Sequence, residues 1–252
     1  MKVELDIITK KFNENNFAEV IDLCDKTLNN VQLKEEKLAI LNYKGIALLK
    51  LKKFFLSELT FIECLKIEKK NIEALYNLSF LYFNDKKYNQ SLDQLKILLK
   101  QNPYFLKAYF IIFNLKKFIN KDSLDQILMQ VIFLDLTKIK LNDLLIFLNY
   151  LVKNEELEIS KLLCEKLLKT DNHYIFFLYG LILRKKNQND LSLKYFLKAF
   201  ELNANNPYYS NEIGSTYEIL GDINLAKIYY EKSVTIDRYF GSGYRSLADI
   251  KM

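Results

Sequence analysis

Tryptophan is absent from this chain, proline occurs twice and glycine six times in 252 residues. All-β folds draw on proline and glycine to turn their strands, so this scarcity points instead to helices joined by short links. Cysteine is scarce too. Cys24, Cys64 and Cys164 are odd in number and widely spaced, which leaves no disulfide framework and no paired metal-ligand motif. Arginine appears only as Arg184, Arg238 and Arg245 among 37 basic residues, and the net charge of +6 is mild for the length. No nucleic-acid partner is expected from it. Long apolar runs are missing as well. The longest uncharged one, Tyr174 to Leu183, is too short to cross a bilayer, and Lys2, Glu4 and Asp6 interrupt any apolar opening segment. No membrane insertion is expected, and a cytoplasmic location is the default.

Chemistry-bearing patterns are equally thin. Neither GxGxxG nor the Walker-type phosphate loop occurs, Gly241-Ser242-Gly243 reads as a turn between helices, and no HExxH is present. His173, the only histidine, sits near Asp171 but has no nucleophile motif beside it, so a surface role between helices is expected rather than acid-base work. No cofactor, no metal site and no enzymatic activity are expected.

What the chain does have is 50% hydrophobic residues, with 17 tyrosines and 18 phenylalanines, arranged with a period. The clearest unit is Ile72 to Phe105. Two apolar-periodic stretches, Ala74 to Phe83 and Ser91 to Leu99, flank a polar break, and Pro103 closes the unit as proline does just past a helix. Residues 72–105 number 34, and so do 38–71, 173–206 and 207–240. Numbered from the start of each unit, position 8 is Gly45, Ser79, Gly180 and Gly214; position 20 is Ser57, Ser91, Ser192 and Ala226; position 24 is Phe61, Leu95, Phe196 and Tyr230. Two helices in a tight hairpin must approach closely at one point, where small residues permit the crossing and bulky ones fill the space around it.

Length, phase and small-large pattern resemble the tetratricopeptide repeat family. The resemblance implies an all-α, right-handed superhelical solenoid of antiparallel helix hairpins. We expect one such solenoid over 1–252, with repeats near 1–37, 38–71, 72–105, 106–140, 141–172, 173–206 and 207–240 and a capping helix at 241–252. Units 1–37 and 141–172 keep the pattern partly, and place Cys24 and Cys164 at the core position 24, with Cys64 at position 27. Unit 106–140 fits least. It keeps Ser123 and Ile127 in phase only with a shortened turn near Asn120, and Phe113 occupies position 8, so its helices should sit further apart or at another angle.

In this family the first helix of each hairpin, helix A, lines the inner, concave surface through positions 2, 5, 9, 12 and 13. The resemblance places Tyr76, Phe80 and Phe83 there in the third unit, Phe110, Asn114 and Lys117 in the fourth, Tyr174, Phe177 and Arg184 in the sixth, and Asn211 in the seventh. Two readings of these aromatics stay open: anchors of a groove for a peptide or protein ligand, or packing between neighbouring A helices. With Lys107, Lys117, Arg184 and Lys185 nearby, a groove would favour an acidic-hydrophobic ligand. The carboxylate clamp of some family members is not reproduced, because Phe110 and Leu145 stand where it needs lysine. The function expected is a non-catalytic protein-interaction scaffold. The alternative, carried by a short likeness of Tyr244 to Lys251, is the recognition module of a tetratricopeptide–sulfotransferase enzyme without its catalytic domain.

Overall fold

The computed structural model describes residues 2–119 and 121–250, so the turn expected at Asn120 and the end of the capping segment lie outside the described residues. Every regular element among the described residues is helical. The chain divides into two compact units, Met1–Leu134 and Asp135–Met252, and the division falls inside the segment expected as the fourth repeat.

The first unit stacks four hairpins: α1 (Lys2–Asn13) with α2 (Phe17–Leu28), α3 (Lys34–Lys50) with α4 (Phe54–Ile67), α5 (Ile72–Asn84) with α6 (Tyr88–Gln101), and α7 (Leu106–Leu115) with α8 (Lys121–Met129). The second holds α9 (Leu141–Lys153) with α10 (Leu157–Leu167), α11 (His173–Lys185) with α12 (Asn189–Leu202), α13 (Pro207–Ile219) with α14 (Ile223–Ile236), and the single α15 (Gly241–Ile250).

Local chemistry sets the boundaries. Asn71, Asn172 and Asn206, each the last residue of a repeat, cap the helix that follows: their side-chain oxygens accept from Ala74, Tyr174 and Tyr208 N–H at 2.9, 2.9 and 3.0 Å. Pro207, at the first helical position, has no N–H to leave unpaired. Between A and B helices one residue takes the left-handed conformation, at Asn15, Lys52, Lys86, Glu155, Asn187 and Gly221. That residue reverses the chain in a three-residue link.

The expected crossing is present and tighter than small side chains alone require. A Cβ built on Gly180 would lie 2.6 Å from the Phe196 ring, and one on Gly214 2.6 Å from the Tyr230 ring. Gly45 meets Phe61 in the same way. The ring at position 24 thus rests on bare backbone. The serine at position 20 adds a bond that composition does not reveal. The hydroxyls of Ser57, Ser91 and Ser192 donate to the carbonyls of Gly45, Ser79 and Gly180, each at 2.8 Å and buried. Phe61, Phe196 and Tyr230 are fully buried. Each contributes about 2–3 kcal/mol through that burial.

The weak units depart as their position-8 residues dictate. In α9 that residue is the buried Leu148, and the Ser160 hydroxyl on α10 is buried without a partner. In α8 the sequence phase was wrong by one residue. Leu124 and Leu128 are the buried residues, followed by Val131 just past the helix, while Ser123 is exposed and Ile127 only half-buried. Phe113, at the position where a small residue would permit a close crossing, is itself buried on α7, and large aliphatics rather than a small residue are buried in the segment that follows. The chain then leaves the α-helical path for 3₁₀ turns at Gln130–Phe133 and, in the second unit, at Leu136–Lys138, neither of which the repeat pattern anticipates. Lys44, an odd cation at the otherwise apolar position 7, reaches Asp25 of α2 at 2.5 Å.

Candidate functional site

In the first unit the A-helix stripe of the third repeat forms from the period of α5. Tyr76 and Phe80, one turn apart, stack at 6.5 Å with nearly parallel rings, and Phe105 meets Tyr76 edge-on at 5.2 Å. Tyr76 is half-buried; Phe80 is 40% exposed, the most open aromatic of the stripe. Desolvation raises the Tyr76 phenol above its ordinary value. Phe83 is placed differently. It lies among Tyr88 at 6.0 Å and Phe118 at 6.2 Å, and Tyr88 and Phe118 stack on each other at 4.2 Å. These rings bridge two hairpins, so Phe83 packs between repeats.

On α7, Phe110 and Asn114 are half-buried, and the Asn114 amide donates to the Phe110 carbonyl at 2.8 Å. Lys117 is exposed. A polar feature beside this stripe escaped the sequence reading. Asn77 donates to the Asn42 side-chain carbonyl at 2.6 Å, and Asn42 donates to Glu73 at 3.1 Å, linking α3 to α5. Its signal was available: two asparagines 35 residues apart, each inside an otherwise apolar helix.

In the second unit the residues are drawn into packing. Tyr174 stacks near Phe177 at 6.1 Å, but Phe177 also meets Phe196 at 5.8 Å and Tyr209 of α13 at 4.7 Å. Arg184 lies 5.4 Å above the Phe196 ring and forms an ion pair with Glu212 of α13. Lys185 pairs with Glu155 at 2.7 Å. Two of the four cations assigned to attract an acidic ligand are therefore already matched; Lys107 and Lys117, both exposed in the first unit, form no ion pair among the described residues. The Asn211 carboxamide faces the Ser246 hydroxyl of α15 at 3.5 Å.

His173 makes no acid-base pair with Asp171. Its Nδ1 is 2.7 Å from the Tyr209 hydroxyl, tying α11 to α13, while the Asp171 carboxylate lies 3.4 Å from Lys198. All three cysteines are buried and free. Desolvation pushes the thiols of Cys24 and Cys64 up to about 12, and that of Cys164 higher still, so none is a ready nucleophile at neutral pH. No helix among the described residues is long and apolar enough to cross a membrane.

Comparison with known proteins agrees with this architecture. Residues 173–206 and 208–240 match the tetratricopeptide repeat model, two of the three stretches where glycine faces a ring across the crossing. The chain is similar in fold to the C-terminal part of a TPR repeat-containing protein from Cytophaga hutchinsonii, with a TM-score of 0.62 and 13% identity over 96% of this chain and 99% of that one. A tetratricopeptide repeat protein from Parabacteroides merdae aligns with a TM-score of 0.48 and 12% identity over 100% of this chain and 98% of that one. No curated protein matches in sequence. The chain thus carries tetratricopeptide repeats in an all-helical fold of that type. None of these likenesses supports the resemblance of its tail to sulfotransferase fusions.

Proposed function

We propose that the chain is a non-catalytic, cytoplasmic scaffold that holds a peptide or protein on the inner stripes of its A helices. The observation that carries this reading is Phe80, left 40% exposed beside the half-buried Tyr76 and near a polar network of Asn42, Asn77 and Glu73. An open ring next to fixed amide groups is the pairing that peptide grooves use: the ring supplies anchoring area, and the amides align a backbone. Phe110, Asn114 and Lys117 extend the same site, and the exposed charge of Lys107 and Lys117 favours an acidic-hydrophobic ligand there. In the second unit Tyr174 and Asn211 are the candidates. Phe177 and Arg184 act through the packing that positions them.

The test is titration of a partner recovered by affinity capture from the native host against wild type and Phe80→Ala, with folding checked by circular dichroism. Loss of about 2 kcal/mol of binding in a folded variant is the expected result. Unchanged affinity sinks the groove reading, and an unfolded Phe80→Ala variant assigns that ring to the core.

A further inference from the structure

The outer face of α4 is apolar where the corresponding face of α6 is not. Phe55, Leu56 and Leu59 occupy repeat positions at which α6 carries Asn89, Gln90 and Asp93. These three side chains are 71, 48 and 49% exposed. Because α6 forms the same kind of hairpin with polar residues at the same places, the fold does not demand apolar ones on α4. Helical spacing puts residues 55, 56 and 59 on one face, where they form a strip more than one turn long.

Charge beside the strip is one-sided. Lys50, Lys52 and Lys53, at the hairpin turn where α4 begins, are exposed and form no ion pair among the described residues. The acids of α4 are already engaged. Glu58 accepts from the Tyr82 hydroxyl at 2.9 Å and from Lys87 at 3.3 Å, and Glu63 pairs with Lys37 at 3.7 Å. An apolar strip with three unmatched cations at one end therefore asks for apolar groups in line with clustered acids.

We propose that this face of α4 is a second docking surface, distinct from the inner stripes of the A helices, and that it takes an acidic amphipathic helix of a partner protein. Leu or Phe side chains of that helix would lie along Phe55, Leu56 and Leu59, with Asp or Glu over the three lysines. A protein helix fits better than an anionic bilayer because the cations sit at one end of the strip. A helix that lies on a membrane carries Lys and Arg along its polar face, beside the apolar one, rather than clustered at one end.

The probe is a fluorescent synthetic helix with Leu and Phe on one face and Glu on the other, compared with its Lys counterpart by anisotropy on the full chain. The glutamate helix is expected to bind and the lysine helix not. Phe55→Ser with Leu59→Ser should weaken binding by about tenfold or more. Lys52→Glu with Lys53→Glu should weaken it by about tenfold and reduce its salt dependence. All four positions are exposed, so circular dichroism should be unchanged, and Phe80→Ala should leave this binding intact. No preference for the acidic helix, or equal binding by the serine variant, overturns the proposal. Co-sedimentation with phosphatidylserine vesicles that the serine variant loses would assign the face to a bilayer and overturn it. Self-association that the same variant abolishes would assign it to a second copy, with the same consequence.

Discussion

The hairpin α11–α12 and the hairpin α9–α10 lie next to each other in sequence and carry the same serine at the same repeat position, yet the two serines have opposite fates. Ser192 donates to the Gly180 carbonyl at 2.8 Å, while Ser160 is buried with nothing to bond. The difference lies across the crossing: Gly180 in one, Leu148 in the other. With glycine or serine at position 8, the partner helix comes close enough for a hydroxyl to reach a main-chain carbonyl, and with glycine a ring also lies on the backbone. With leucine there, dispersion contacts fill the gap, but the hydroxyl is stranded. The size of one side chain decides whether the crossing gains a polar bond or is held by aliphatic packing alone.

The largest expected effect comes from filling the close crossing. Gly214→Leu should cost about 3 kcal/mol, because Tyr230 and the Ala226 carbonyl already stand where its first carbon must go. Urea denaturation measures it; a midpoint equal to wild type would mean that the crossing has room to yield, and the contrast between the two hairpin kinds would collapse. Next come the serines. Ser192→Ala removes a buried hydroxyl-to-carbonyl bond, for a loss of about 1 kcal/mol. Ser160→Ala deletes an unpartnered hydroxyl and should be neutral or stabilising by up to about 1 kcal/mol. Equal losses in the two variants would show that Ser160 has an acceptor after all. The smallest effect is at the turns. Lys86 holds a φ of 59° and Glu155 one of 64°, so Lys86→Gly and Glu155→Gly should each add about 0.5 kcal/mol, read from the same denaturation curves. Similar gains in both would show that turn geometry is independent of the crossing; a gain in only one would couple them.

Much of this was legible in advance because a repeat restates its constraint. Gly45, Gly180 and Gly214 facing Phe61, Phe196 and Tyr230 could be read from phase alone, since each pair must satisfy the same steric condition. The three cysteines were legible for the same reason: positions 24 and 27 are buried in the clear units. Where the repeat weakens, so did the reading. In α8 a serine at nearly the right spacing suggested a phase that Leu124 and Leu128 contradict, large aliphatics being buried there rather than a small residue. For the candidate site, period alone brought Tyr76 and Phe80 together. It could not separate Phe80, which is open, from Phe83 and Phe177, which are held between hairpins. All four face the same way on their own helices, and only the neighbouring helix settles which is covered.

The amino-acid sequence by itself determined the helices, their hairpin pairing and the small-against-large crossing, since these follow from local spacing and from steric limits within a single repeat. The tertiary structure decided what depends on groups far apart in the chain: the serine-to-carbonyl bonds, the pairing of Arg184 with Glu212, the link from Asn42 to Asn77, and which aromatics stay open. Hydrogen bonds and ion pairs need their partners within a few ångströms and in the right direction. A repeat pattern sets which helix faces another, and only the packed structure sets which atoms come that close.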